Sequence, residues 1–301
     1  MKKSEIANRI EKIKKERDAV IIAHNYQIDE VQDVADFLGD SLQLSQEAAK
    51  LEEDVIVFCG VHFMAETAAI LSPDKTVLLP DLRAGCPMAD MITASELREW
   101  KKQYPGRKVV CYVNTSAEVK AECDICCTSS NAVQVVGAVD GEEILFAPDK
   151  NLAAFVARYT KKKIIPWDGY CYVHNNIRLR HVREKKKQFP GAEIWVHPEC
   201  RPEVIDMADK VLSTGKMIKE AKITRKTDIL IGTESGIIYR MKKENPEKNF
   251  YPIKELAHCS NMKKINLRKV LASLEDMKYK VDVPQDISQR AKGAIEKMVK
   301  L

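Results

Sequence analysis

Cys86, Cys171 and Cys259 fall 85 and 88 residues apart, each shortly after a proline that closes an apolar run. Those prolines, Pro80, Pro166 and Pro252, are 86 residues apart both times. The period extends further. An apolar run ends in polar residues at Ala23-His24-Asn25-Tyr26, again at Tyr112-Val113-Asn114 and again at Val196-His197-Pro198-Glu199. Hydroxyls follow at Ser41, at Ser129 and at the pair Ser213-Thr214, and a second apolar run recurs over 55–58, 144–146 and 229–231. Self-similarity at a fixed period dictates architecture before any single residue does. Here it predicts three units, each delivering one thiolate and one polar strand end.

Short Val- and Ile-rich runs between helical segments are the mark of parallel strands covered on both faces. The predicted fold is therefore α/β, with three αβα sandwich units related by a pseudo-threefold axis. The expected boundaries are 1–86, 87–171 and 172–262, with the tail 263–301 packing back on the first unit. In the first unit the pattern predicts a helix over about 4–17, a strand over 19–23, and a helix over about 30–38. A short element near Asp40-Ser41 and a strand over 55–58 follow. No Pro-, Gly- or Ser-rich linker separates the units, so they should be pressed together. In open parallel sheets ligands bind beyond the carboxyl ends of the strands, which is where all the repeated polar residues lie.

Three equivalent cysteines converging near one axis make a three-thiolate site. A cubane iron-sulfur cluster normally takes four cysteines, so three would leave one iron open to act as a Lewis acid. The competing reading is three small apolar residues at equivalent core positions, since free cysteine is often buried. Cys86 in Ala84-Gly85-Cys86-Pro87 and Cys171 after Gly169 look like loop residues, which favours ligation. Of the other cysteines, Cys123, Cys126 and Cys127 align with 209–214 of the third repeat. They read as core positions, with a zinc site or redox pair as the alternative. Cys59 and Cys111 read as structural, and Cys200, beside Glu199, stays open.

The 301 residues carry a net charge of +5, which suits a small anionic substrate and is too weak to argue for nucleic acid. The lysine runs at 161–163 and 185–187 read as solvated helix ends. The charged N-terminal stretch lacks the apolar core of a signal peptide, and no apolar run approaches a membrane span. A cytoplasmic setting is therefore expected, with nine cysteines present as thiols or ligands rather than as a disulfide framework.

His24, Tyr26, Tyr112, Asn114, His197 and Glu199 supply donors, acceptors and proton shuttles from three directions, as a compact polar substrate losing protons and water requires. Ser41, Ser129, Ser213 and Thr214 each precede an expected helix. Such hydroxyls often serve only as caps, yet three helix N-termini around one axis would hold several anionic groups. His174 follows Cys171 by three residues, next to whatever the open iron binds. His62 and His181 read as structural, and Glu234 either assists or caps.

These residues lie in stretches that resemble the quinolinate synthase family: AHNYQ (23–27), GDS (39–41), CPMADM (86–91), YVNTSAEVKA (112–121), TSSNA (128–132), FAPDKNLA (146–153), CYVH (171–174), VHPEC (196–200), STGKMI (213–218), GTESGI (232–237) and CSNM (259–262). The resemblance covers nearly the whole chain in order. It implies condensation of iminoaspartate with dihydroxyacetone phosphate to quinolinate, with loss of phosphate and two waters. It implies a 4Fe-4S cluster on Cys86, Cys171 and Cys259, and iminoaspartate supplied by an aspartate-oxidising enzyme. The family's substrate contacts map onto His24, Tyr26, Ser41, Tyr112, Asn114, Ser129, His174, His197, Glu199, Ser213 and Thr214. Tyr26 with Glu199 is the expected proton-moving pair, and Tyr112 and Asn114 are expected to orient the triose. Some members carry a Cys-x-x-Cys-x-x-Cys run near the C-terminus, whereas Cys259 stands alone here, so a disulfide switch proposed for that run does not carry over. Other readings are an aconitase-like dehydratase of another small anion, a zinc hydrolase, and a non-enzymatic iron-sulfur sensor.

Overall fold

A computed structural model describes residues 2–301 as three four-stranded parallel sheets of one design. The first comprises β1 (Ala19–His24), β2 (Phe37–Gly39), β3 (Val55–Cys59) and β4 (Thr76–Leu78), in the order β2-β1-β3-β4. The second comprises β5 (Lys108–Tyr112), β6 (Ile125–Cys127), β7 (Glu143–Ala147) and β8 (Lys163–Pro166), in the order β6-β5-β7-β8. The third comprises β9 (Glu193–Val196), β10 (Lys210–Val211), β11 (Asp228–Gly232) and β12 (Asn249–Pro252), in the order β10-β9-β11-β12. The expected α/β class with three repeated sandwich units is what the chain adopts. In each sheet the chain steps to one side, then crosses back over its first strand. The switch point thus falls at the carboxyl ends of β1/β3, β5/β7 and β9/β11, where ligands bind in such sheets.

Inner strands are apolar on both faces because helices cover both. Every residue of β1 and β3 is buried. One element differs from the sequence reading. Residues 37–39 form the edge strand β2, paired in register as Ile22↔Phe37, Ala23↔Leu38 and His24↔Gly39, and the helix before it is only Asp29–Asp33. Phe37-Leu38 looks helical in the sequence, yet three residues pair more favourably with the open edge of β1 than they extend a short helix.

The N-terminal helix Lys3–Glu16 buries Ile6, Ile10 and Ile13, one stripe at helical spacing, and packs on the helix Leu267–Asp276. That second helix stops where Met277 turns left-handed, at φ 48°. The chain then bridges antiparallel onto β4, with Val281 N–H donating to Val77 O. The last helix, Gln285–Lys300, buries Ala291, Ala294, Ile295 and Met298. Its small alanines let it seat against both the first unit (His62–Leu71) and the second (Ala117–Lys120 and β6). It ties two units together. No helix among the described residues is long and apolar enough to cross a membrane.

Cys126 and Cys127 are buried on β6 as core residues, and Cys59 and Cys200 are fully buried. Cys111 and Cys123 depart from the thiol expectation: they are joined as a disulfide, with Cα atoms 6.1 Å apart, because the turn before β6 folds back beside β5. The other seven cysteines are free.

Asp81, directly after Pro80, links the tail to the loop that leads to Cys86. Its carboxylate accepts from the Arg83 backbone N–H (2.9 Å), from the Arg83 guanidinium (3.0 and 3.1 Å) and from Lys269 Nζ (2.6 Å). The Arg83 guanidinium, followed by Lys269, outweighs burial and holds this carboxyl well below the usual range. A depressed carboxyl stabilises the fold above its unfolded value, and the benefit is lost as pH falls. Asp81→Asn is therefore expected to cost about 1–2 kcal/mol at neutral pH, a gap that narrows as the pH drops below ~4. Urea midpoints across pH check this, and a gap independent of pH would remove the ionic account.

Candidate active site

The three switch points open into one cavity. From the first unit come His24 and Tyr26, from the second Tyr112 and Asn114, and from the third His197 and Glu199. Ser41, Ser129, Thr214 and His174 line the same cavity. Ser213 does not. It is the cap of the helix Thr214–Ile223, accepting from Lys216 N–H at 3.3 Å behind the wall. Its hydroxyl lies 2.6 Å from Ser130 Oγ, and both serines donate to one oxygen of Asp40, at 2.6 Å from Ser130 and 3.0 Å from Ser213. Asp40 also caps the helix Ser41–Ala48. One side chain from each unit thus meets at a single carboxylate, and Gly215 is needed beside it because a Cβ there would lie 2.6 Å from Asp40 Oδ2. Ser41 is the first helical residue and Ser129 lies two before the cap Asn131, so neither is the cap itself.

Cys86, Cys171 and Cys259 reach the cavity from three equivalent turns. The N–H groups of His62, Lys150 and Ser235 donate to the carbonyls of Ala84, Gly169 and Ala257 at 2.8, 2.9 and 2.8 Å, each two residues before a cysteine. The N–H groups of Asp90, Asn175 and Lys263, four residues after each cysteine, donate to its carbonyl at 3.2, 2.8 and 3.2 Å. Backbone N–H groups within these turns point at each sulfur, from Met88 and Ala89, from His174, and from Asn261 and Met262. Val61, Phe63, Met64, Met88 and Met262 make this end of the cavity apolar. Burial raises Cys86 to about 12 and raises Cys171 and Cys259 as well, so these groups become thiolates when a cation draws the proton off.

The single group of metal-capable side chains within 4.8 Å among the described residues is Cys171, His174 and Glu199, not the three cysteines. Three thiolates on one ion, each at ~2.3 Å, would bring their sulfurs within about 4 Å of one another. The three cysteine sulfurs do not all lie that close to one another. Cys171, His174 and Glu199 are instead hydrogen-bonded. His174 Nδ1 lies 2.5 Å from Glu199 Oε2 and 3.2 Å from Cys171 Sγ, distances of proton sharing that leave no room for an ion between the atoms.

Beyond His174 the network continues through a residue that the sequence reading passed over. Thr233 Oγ1 lies 2.8 Å from His174 Nε2 and 2.5 Å from the Tyr26 hydroxyl, which is itself 3.3 Å from His174 Nε2. The imidazoles of His174 and His197 stack at 4.4 Å. The Tyr112 hydroxyl faces Glu199 from the second unit, and burial with the Glu199 charge raises both Tyr26 and Tyr112 well above the ordinary tyrosine value. Burial pushes the Glu199 carboxyl up, but His174, hydrogen-bonded to it at 2.5 Å, overrides this and holds the group below its usual range. Four buried side-chain oxygens have no protein partner, and two of them, Glu199 Oε1 and Asn114 Oδ1, belong to residues that line the cavity. Buried polar atoms are normally satisfied, so these acceptors mark where a ligand's donors belong.

A model of the quinolinate synthetase A protein family matches residues 8–300. The chain belongs to the quinolinate synthetase A protein family. It is 56% identical over 296 residues to the quinolinate synthase of Dehalococcoides mccartyi, covering 98% of each chain. It is 53% identical over 294 residues to quinolinate synthase 2 of Methanosarcina acetivorans, covering 98% of this chain and 95% of that one. To the quinolinate synthase of Pyrococcus abyssi it is 52% identical over 299 residues, covering 99% of each. Within this quinolinate synthetase A family member, Glu234 lines the cavity and is not a helix cap, since the helix Ile237–Glu244 has no side-chain cap. Fully buried, it accepts from Cys259 N–H and Gly236 N–H and pairs with Lys263 at 3.1 Å. His62, half-exposed and 3.7 Å from Glu66, and His181, at a helix start away from the cavity, stay outside the site.

Burial lowers His24 to about 4 and His197 to about 3, so both imidazoles are neutral in the working range. A histidine depressed in the fold favours folding above its unfolded value, and that advantage is lost as pH falls. Neither imidazole is expected to titrate between about pH 5 and 8, and at pH 5 each should cost about 2 kcal/mol of stability. Histidine NMR shifts followed against pH check this. A titration midpoint near 6.5 for either would show it reaching solvent.

Proposed function

We propose that this chain condenses iminoaspartate with dihydroxyacetone phosphate to form quinolinate, releasing phosphate and two waters. The observation that carries the reading is the convergence of three cysteine turns and three polar strand ends, one from each unit, in one cavity with unpaired acceptors. Cys86, Cys171 and Cys259 would hold a 4Fe-4S cluster, whose fourth iron, having no thiolate, supplies a Lewis acid for the substrate. The donor set fits: the three sulfurs do not all lie within 4.8 Å of one another, N–H groups aim at each, and apolar side chains line the same cavity.

The remaining groups divide the work between binding and proton movement. At the far end from the cysteines, Ser41, Ser129 and Thr214 with neutral His24 would hold phosphate and carboxylate oxygens. The Thr214 hydroxyl is oriented by Asn25 Nδ2 at 3.1 Å. Asn114 Oδ1 accepts a triose hydroxyl and Tyr112 orients it beside Glu199. Tyr26, Thr233, His174 and Glu199 form a continuous path, so a proton taken at the Tyr26 hydroxyl or at Glu199 Oε1 can be shared over buried groups rather than lost to water. His197, stacked on His174, fixes that ring in the plane the path needs. We place the boundaries of the three units at 1–86, 87–171 and 172–262. We place the reaction in the cytoplasm, where an aspartate-oxidising enzyme would supply the unstable imine.

Anaerobic purification with iron and sulfide determination per chain, followed by assay with iminoaspartate and the triose phosphate, tests the reading. Absence of quinolinate from an iron-loaded preparation would refute it. Glu199→Gln is expected to lower turnover by roughly a hundredfold or more with iron content unchanged. Near-normal turnover in that variant would remove Glu199 from the proton path. Thr233→Val, which keeps the side-chain volume, is expected to lower kcat by roughly tenfold or more and shift its pH profile, with KM little changed. A KM effect alone would make Thr233 a packing residue.

A further inference from the structure

The backbone ties around the three cysteines are equivalent, but their side-chain anchors are not. The residue before each tied N–H is Val61 in the first unit, Asp149 in the second and Glu234 in the third. Asp149, fully buried, accepts from Cys171 N–H at 2.9 Å through Oδ2 and from Leu152 N–H at 2.7 Å through Oδ1. Glu234, also fully buried, accepts from Cys259 N–H at 3.1 Å through Oε1 and from Gly236 N–H at 2.7 Å through Oε2. Val61 has no acceptor to offer, and among the described residues no hydrogen bond leaves Cys86 N–H.

We propose that Asp149 and Glu234 are positioning residues that lock Cys171 and Cys259 in place ahead of whatever those sulfurs hold, leaving the Cys86 turn as the compliant corner of the site. This rests on the three-thiolate reading above. Each carboxylate uses both oxygens as acceptors of backbone N–H groups. The near-isosteric amide cannot replace it, because an amide turns one NH₂ onto an N–H. The lock therefore fails in Asp149→Asn and Glu234→Gln without a cavity being opened. A group inserted into or removed from the site would engage or release Cys86 last or first, while the other two sulfurs keep their places.

Hydrogen exchange on the unmodified, metal-free chain reads the proposal without any variant. The amides of Cys171 and Cys259 are expected to be protected by roughly tenfold or more over that of Cys86. Equal protection of all three overturns it. On the iron-loaded protein, partial chelation followed by thiol alkylation should label Cys86 before Cys171 and Cys259. In Asp149→Asn the label should appear at Cys171 as early as at Cys86, and in Glu234→Gln at Cys259. Simultaneous labelling in the unmodified protein, or unchanged order in both variants at unchanged thermal midpoint, overturns the proposal. A chain that never retains iron would sink the cluster reading instead, and the metal-free exchange experiment would still decide the locking of the two turns.

Discussion

The bond from His62, Lys150 and Ser235 N–H to the carbonyl two residues before each cysteine fixes how far each sulfur stands from the end of its sheet. It joins the start of a helix that follows an inner strand to a turn that follows the edge strand. The cysteine therefore cannot drift along the sheet edge. With that tie present in all three units, the cysteines and the strand ends come to line one cavity. Loss of such a bond inside the protein leaves a donor and an acceptor unsatisfied at once. The turns and the sheets are thus held in one register.

The cavity that results has two unlike ends. Near the cysteines the wall is methionine, phenylalanine and valine, where charges are poorly screened and a thiolate exists through its cation. Toward the hydroxyls the wall is built from helix starts and short polar side chains, braced by Asp40 with Ser130 and Ser213. The groups between the ends are tuned by burial and by one another: neutral His24 and His197, a carboxylate held low at Glu199, and tyrosines kept protonated. A buried carboxylate beside stacked imidazoles is tolerable because His174 Nδ1 lies 2.5 Å from one oxygen, while the other, without a protein partner, is left for a ligand's donor.

The architecture was legible in the sequence because three copies of one pattern carry redundant information. A weak strand signal in one repeat is supported by its counterparts, and the cysteines and strand-end residues were found by register alone. What escaped lacked a counterpart or a local mark. The edge strand Phe37–Gly39 is too short for alternation to show, and its pairing with β1 is a tertiary event. Asp40 and Ser130 meet from different units across 90 residues, which no spacing encodes. The pairing of Cys111 with Cys123 depends on a turn folding back beside β5. Ser213 was placed by its hydroxyl and its helix start, both real, but the cap faces Asp40 rather than the cavity.

Thr233 escaped for a reason that bears on how a threefold frame accommodates an asymmetric reaction. Ile21, Val109 and Ile194 hold equivalent places, since the N–H of each donates to an aspartate, Asp36, Asp124 or Asp209, whose own N–H returns to its carbonyl. They pair with Val57, Leu145 and Leu230, each five residues before the tied N–H of His62, Lys150 or Ser235. The three loops are therefore equal in length and differ only in side chain. Gly60 and Pro148 stand where the third unit has Thr233, which alone offers a hydroxyl to Tyr26 and His174, while Glu234 takes the Cys259 amide as Asp149 takes that of Cys171. A strictly symmetric frame would offer a substrate the same groups from three sides. One changed side chain, in a loop whose ends the backbone ties already fix, converts the repeat into a directional path from the first unit through the third.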